Sequence, residues 1–135
     1  MNPSSEKQHK PDPACAVLLI DEDSEYLDHI RRITQRMGHS VHACSSYAEG
    51  VRQLESGAFE LIIVGQGSRF YEGRCVVERA ININRRLPVI VVARHPEMNC
   101  YLEAMQLGAV DYVSDPSVGA EIARLMRTYL HPHQA

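Results

Sequence analysis

Short apolar runs alternate along this chain with longer segments whose apolar positions recur every three or four residues. "CAVLLI" (15–20) ends at Asp21, Glu22 and Asp23, after which Tyr26, Leu27, Ile30, Ile33 and Met37 keep helical spacing as far as Gly38. This predicts a strand, an acidic loop and a helix. "SVHAC" (40–44) reads as a second strand, followed by a helix that Ser46 caps and Gly57 stops, with Val51 and Leu54 on one side. "FELIIV" (59–64) reads as a third strand, and a helix from Gly73 to Ile83 carries Val76, Val77, Ala80 and Ile81. "PVIVVA" from Pro88 is apolar almost throughout, as a parallel strand buried on both faces requires. A helix over Glu97 to Leu107 follows, with Tyr101, Leu102, Met105 and Leu107 as its inward candidates and Gly108 closing it. "AVDYV" (109–113) is the fifth strand, and a helix from Val118 to Leu130 offers Ile122, Leu125, Met126 and Tyr129 to the core.

Five βα units in this order predict an α/β fold, a doubly wound five-stranded parallel sheet with helices on both faces. The crevice outside the carboxyl ends of the strands is the expected site. At 135 residues with 44% hydrophobic content, the chain suffices for one domain with a real core, placed at 14–131. Residues 1–13, polar and holding Pro3, Pro11 and Pro13, are expected to be a flexible tail, and 132–135 a short C-terminal one.

Charge changes the picture little. Seventeen acidic and fourteen basic residues give a net charge of -3, without a broad basic face for a nucleic-acid backbone. Arg31, Arg32 and Arg36, and Arg85 with Arg86, read as solvated surfaces. Cys15, Cys44, Cys75 and Cys100 form no C-x-x-C pair and lack a nearby histidine spacing that suggests zinc. Cys15 and Cys44, at strand edges, are expected to be buried thiols. With no signal-peptide pattern and no apolar run of membrane-spanning length, the reducing cytoplasm is the expected location and no membrane partner is implied.

Two loops of the expected crevice carry the candidate chemistry. Asp21, Glu22 and Asp23 are hard oxygen donors of the kind that suit magnesium or calcium, although an acid at this point also caps the following helix. The third strand, by contrast, empties into "GQGSRFYEG" (65–73), and Gly65 to Tyr71 contain no acid, cysteine or histidine.

"VLLIDEDSEYLDHI", "FELIIVGQGSRFYEG", "LPVIVVAR" and "GAVDYVSDP", taken in order, resemble the landmarks of the receiver domain of bacterial two-component response regulators over residues 15–131. The resemblance implies a flavodoxin-like (βα)5 fold. In that family an acidic pair and a phosphoacceptor aspartate hold magnesium, and the aspartate takes a phosphoryl group from a histidine kinase. A hydroxyl residue ending the fourth strand and a lysine before a proline contact that group, while an aromatic residue on the fifth strand changes its packing in step.

Carried over by position, Asp21 and Glu22 match the acidic pair, Tyr112 the switch aromatic and Pro116 the proline. Gly73 matches a glycine eight residues beyond the phosphoacceptor, which puts the phosphoacceptor position at Gly65. The hydroxyl position is Ala93 and the lysine position is Asp115, while Arg69 replaces a proline common in the third loop. A glycine has no nucleophile, so aspartyl phosphorylation cannot occur at Gly65. Asp115 in place of a cation also repels phosphate, by about 4 kcal/mol per unit-charge pair at about 4 Å and an effective dielectric near 20, before solvent screening.

Two expectations for the crevice follow. Either Asp115 pairs with Arg94 or Arg69 in a structural relic, or Asp21, Glu22 and Asp115 hold a magnesium or calcium ion without phosphate. The resemblance also implies protein contacts, with a partner or a second copy, at the face formed by the fourth helix, fifth strand and fifth helix. Candidates there are Asn99, Glu103, Gln106, Tyr112, Arg124 and Arg127. The leading expectation is a phosphorylation-independent receiver-like signalling module, not an enzyme. The alternative is a receiver-like domain that senses a divalent ion or a small ligand, and behind it an enzyme of another flavodoxin-like family, without a nucleophile-base pair or dinucleotide fingerprint to support it. Nucleic-acid binding by this chain alone is not expected, because no helix-turn-helix or basic reading helix is present.

Overall fold

The computed structural model describes residues 16–114 and 119–130. Five strands, β1 (Ala16–Ile20), β2 (Ser40–Cys44), β3 (Leu61–Gly65), β4 (Val89–Ala93) and β5 (Asp111–Ser114), alternate with five helices. These are α1 (Ser24–Arg36), α2 (Tyr47–Ser56), α3 (Arg74–Ile83), α4 (Met98–Leu107) and α5 (Gly119–Tyr129). The sheet is wholly parallel, in the order β2-β1-β3-β4-β5, as the βα alternation predicts.

Because side chains alternate across a strand, one apolar run fills two cores. Leu18, Ile20, Ile62, Val64, Val89 and Val91 face the layer formed by α2, α3 and α4. Val17, Leu19, Leu61, Ile63, Ile90 and Val92 face the layer containing α1 and α5, where Ile30, Ile122, Leu125 and Met126 meet them. Burying a Leu or Ile of this kind contributes about 1.5–3 kcal/mol relative to exposure, so these two layers carry most of the driving force for the fold.

The boundaries move in two places. β3 begins at Leu61 and includes Gly65, because the Gln66 amide still donates to the Val92 carbonyl and prolongs the ladder. β5 begins at Asp111, later than the apolar run suggests, since pairing with β4 starts only at Ile90 opposite Asp111. α4 reverses the expected orientation. Cys100 and Ala104 are its buried residues, while Tyr101, Leu102 and Met105 are exposed together with Met98. Two small residues four apart let this helix lie close to the sheet, which turns the larger apolar stripe outward. Leu107 does pack, partly buried, against the core.

Cys44 and Cys100 are buried thiols and Cys75 is exposed; Cys15 and both tails lie outside the described residues. Arg31 and Arg32 are both paired with Asp28 in their own helix. Among the described residues no helix is long and apolar enough to cross a membrane.

Candidate functional site

β1 has β2 on one side and β3 on the other, so the chain reverses its winding there and the loops after β1 and β3 part. A cleft of about 250 Å³ opens at that point, lined among others by Asp21, Glu22, Tyr47, Gly65, Gln66 and Arg94. Ile20 lies opposite Val64 in the ladder, which brings Asp21 alongside Gly65.

Asp21 is buried, and its Oδ1 accepts the Asp23 amide at 2.9 Å. Burial pushes its pKa up to about 6, against the nearby Arg94 charge, and Glu22 adds to the rise. A raised acid is protonated in the folded protein where the unfolded chain is already ionised, so its contribution is complete below about pH 4 and lost as pH climbs through about 6. Asp21→Asn, which keeps an acceptor at Oδ1, is therefore expected to raise stability by about 2 kcal/mol at pH 7–8 and by little below pH 4. Chemical denaturation across that range checks the sign; a variant less stable at pH 8 contradicts it.

Asp23, not Asp21 or Glu22, is the capping acid. Its Oδ1 accepts the Glu25 and Tyr26 amides at 3.0 and 3.1 Å, and its Oδ2 takes the Arg94 guanidinium. That guanidinium also lies 5.0 Å from the Tyr26 ring centroid. Arg94 is thus engaged by Asp23, and Arg69 lies 5.1 Å from the Phe70 ring centroid. Asp115 and Pro116 fall outside the described residues, and with them the expected Asp115 pairing.

Gly65 is held from three sides. Its carbonyl accepts the Tyr47 hydroxyl at 3.0 Å, and a Cβ at Gly73 would lie 2.1 Å from that same oxygen, so residue 73 must be a glycine for α3 to start here. A Cβ on Gly65 itself would meet Asp21 Oδ2 at 2.7 Å. Burial, reinforced by the Asp21 charge, drives the Tyr47 hydroxyl well above the usual tyrosine range, so it stays a neutral donor. Ala93 is buried at the end of β4 and presents only a methyl group. Glu72 does reach back into the loop, but its carboxylate is occupied by the Ser68 amide at 2.7 Å and by the Ser68 hydroxyl. Those hydrogen bonds hold it below the usual carboxylate range.

Asp21 and Glu22 supply two hard oxygen ligands at the cleft. Beside them lie Gly65, the last residue of β3, and the amide Gln66 just after it, and Arg94 already pairs with Asp23. Asp115, the third ligand of the expected magnesium or calcium site, lies outside the described residues.

Gln66 is the residue that sequence reasoning passed over. It is fully buried, and its Nε2 donates to the carbonyls of Ser68 at 3.3 Å and His95 at 3.2 Å. Its Oε1 accepts the Tyr112 hydroxyl, whose oxygen in turn accepts the Glu97 amide at 3.2 Å. One amide therefore ties the β3–α3 loop, the β4–α4 loop and β5 together. The available signal was an uncharged polar residue immediately after five buried strand positions, where the chain has not yet left the core. Beside it Tyr71 turns inward at φ 59°, and its buried hydroxyl has no hydrogen-bond partner among the described residues.

The expected interface residues separate. Asn99, Gln106, Arg124 and Arg127 are exposed, but Arg124 pairs with Glu121 in its own helix. Glu103 is bound by Arg74 of α3 at 2.8 Å, and Gln106 borders a groove with Ile81 and Asn82, so both look toward α3 and away from β5. Tyr112 is flanked by Tyr101, ring edge to face at 5.5 Å.

Residues 17–127 match the family model described as "Response regulator receiver domain". The response regulator protein TodT of Pseudomonas putida is 22% identical over 123 residues, covering 91% of this chain and 54% of that protein. The transcriptional regulatory protein QseB of Escherichia coli O157:H7 is 27% identical over 115 residues, covering 82% of this chain and 52% of that protein. The chain thus spans about half the length of these relatives. A CheY-like response regulator receiver domain protein from Methanospirillum hungatei JF-1 has the same fold, with a TM-score of 0.80, 20% identity and coverage of 86% of this chain and 93% of that one. The family match spans both loops of the cleft, and on it the chain belongs to the response regulator receiver domains, a family of signalling and regulatory modules.

Proposed function

We propose that this receiver domain works without aspartyl phosphorylation and acts through protein contacts at the face formed by α4, β5 and α5. The observation that carries the reading is the hydrogen bond from Tyr112 to Gln66, the residue next to Gly65. In the family pattern a phosphoryl group at position 65 governs the tyrosine. Here a buried amide holds it, and an amide neither gains nor loses a charge. Ala93 supports the same reading, since a methyl group makes no hydrogen bond to a phosphoryl oxygen.

The surface beside Tyr112 suits a protein partner. Met98, Tyr101, Leu102 and Met105 recur at i, i+3, i+4 and i+7 and are 68, 41, 46 and 37% exposed. A cavity of about 410 Å³ lies at one end of this stripe, lined by Pro96, Glu97, Met98, Tyr101, Tyr112 and Ser114. Apolar patches of this kind on a soluble domain mark interaction surfaces. A protein held in one tyrosine position offers a partner a constant surface, which the partner recognises by direct contact.

The test is association of the purified protein with itself, by light scattering, or with a partner held in its native complex. Met98→Glu with Leu102→Glu is expected to weaken that association at least ~10-fold, as loss of a central apolar anchor does. Both positions are exposed, so the fold and its unfolding midpoint stay as they are. Association unchanged in the double variant overturns the assignment of this face.

A further inference from the structure

At the opposite edge of the sheet, on the side of β2 that faces α2, three side chains of different chemistry converge. His42 and Cys44 stand two residues apart on β2 and so point to one face of the sheet, and Glu49 comes from the first turn of α2. One ring nitrogen of His42, the sulfur of Cys44 and one carboxylate oxygen of Glu49 all lie within 4.8 Å of one another. Among the described residues no other group of three or more such side chains gathers in this way. The set escapes a search for C-x-x-C spacing because its members are joined by a strand and a capped helix start, not by a single loop.

We propose that His42, Cys44 and Glu49 form a binding site for a thiophilic divalent ion of the zinc class. One imidazole, one thiolate and one carboxylate are the donor types that zinc takes, and three protein ligands leave a fourth position open for water or an external ligand. Tetrahedral zinc bonds of about 2.0–2.3 Å place their donor atoms about 3.5 Å apart, so the present spacing closes with about an ångström of side-chain movement.

The surroundings favour that closure. His42 is exposed on an edge strand, which gives an ion a path in, and its ring lies edge-on to Phe59 at 6.4 Å. Cys44 is buried, so its sulfur forms the floor of the site. Arg52 and Gln53 bind the two oxygens of Glu49 at 2.6 and 3.2 Å and fix the carboxylate, as outer-shell partners of metal ligands do. Each carboxylate oxygen has two lone pairs, so both still have an acceptor position free.

Zinc is bound by the thiolate and not by the thiol, so the Cys44 sulfur gives up its proton to bind the ion. Binding therefore forms the metal–sulfur bond as the thiol releases that proton to solvent, with no change of oxidation state, and affinity rises with pH. The site also joins the far wall of the cleft. Glu49 lies two residues beyond Tyr47, the residue that donates to Gly65, so an ion at β2 would clamp the helix start that holds the cleft loop.

Titration of the purified chain with zinc chloride by calorimetry in two buffers of different ionisation enthalpy counts ions and protons, and cobalt(II) reports the ligand type by its absorption. The expected result is one ion and about one proton released per chain at neutral pH, with a thiolate-to-cobalt charge-transfer band and tetrahedral d–d bands. Cys44→Ser should abolish the band, and His42→Ala, at an exposed position that does not threaten the fold, should weaken zinc at least ~10-fold. Cys75→Ser, at the exposed cysteine, should change neither. A cobalt spectrum with no thiolate band, or zinc affinity equal in wild type and His42→Ala, overturns the site and leaves the ion on histidines elsewhere in the chain.

Discussion

Gln66→Ala is expected to lower folding stability by about 3 kcal/mol. Three hydrogen bonds end on this one side chain, to Ser68, His95 and Tyr112, and the residue is fully buried. Each is worth about 1 kcal/mol net; the Ser68 carbonyl keeps the Tyr71 amide and the Tyr112 hydroxyl keeps the Glu97 amide, but the His95 carbonyl loses the donor it has in Gln66 and a cavity opens where the side chain was. Tyr112→Phe removes one of the three together with the Glu97 amide's bond to the same hydroxyl, and should cost about 1–2 kcal/mol. A double-mutant cycle between the two positions should return a coupling of about 1 kcal/mol, because both single changes break the same bond. Urea unfolding of the four proteins gives every term. Gln66→Ala within about 0.5 kcal/mol of wild type, with no coupling to Tyr112, contradicts the idea that this amide holds the tyrosine.

Gly65→Asp tests whether the empty position can be refilled by one change. The new Cβ meets Asp21 Oδ2 at 2.7 Å and Cγ at 2.9 Å, so the Asp21 side chain must move before the substitution fits. The added carboxylate then faces an acid whose pKa is already near 6. Arg94, the nearby cation, is committed to Asp23, and Ala93 offers no hydroxyl. The variant is expected to lose about 2 kcal/mol at pH 7, from crowding and like-charge repulsion in a partly solvated cleft, and to recover most of the electrostatic part on acidification below about pH 5. It is also expected to accept little phosphate, since the acceptor alone does not rebuild the groups that stabilise a phosphoryl oxygen. A variant as stable as wild type at pH 7 contradicts the steric and electrostatic reading of the cleft.

Most of the fold was legible in the order of apolar runs. Strands such as Val89–Ala93 are buried on both faces, and such strands have to be apolar throughout, so their sequence states their environment directly. Helix orientation was less legible. In α4 the periodic apolar residues form a stripe, but periodicity identifies a stripe without saying which way it faces, and here Cys100 and Ala104 took the inner side. The strand limits at Gly65 and Asp111 shifted for a related reason, since a ladder ends where backbone pairing ends, not where hydrophobicity does.

The cleft was legible only in its absences and its acids. Gly65 and Ala93 end β3 and β4, and Asp21 and Glu22 line the cleft with Gly65. The contacts that hold the loop after β3 were not readable. Gln66, Tyr47 and the Asp23–Arg94 pair owe their roles to contacts between residues 18 to 71 positions apart, which no local pattern encodes. Tyr112 was named as a switch on resemblance alone, whereas its partner is visible only when β3 and β5 are placed on either side of β4.

We propose that this receiver domain does not use aspartyl phosphorylation. Intact-mass measurement after incubation of the purified wild-type chain with acetyl phosphate and magnesium tests it most directly. An unchanged mass, in a reaction where an ordinary receiver domain with its aspartate takes up phosphate alongside, is the result expected. A stoichiometric phosphate adduct on the wild-type chain would contradict it.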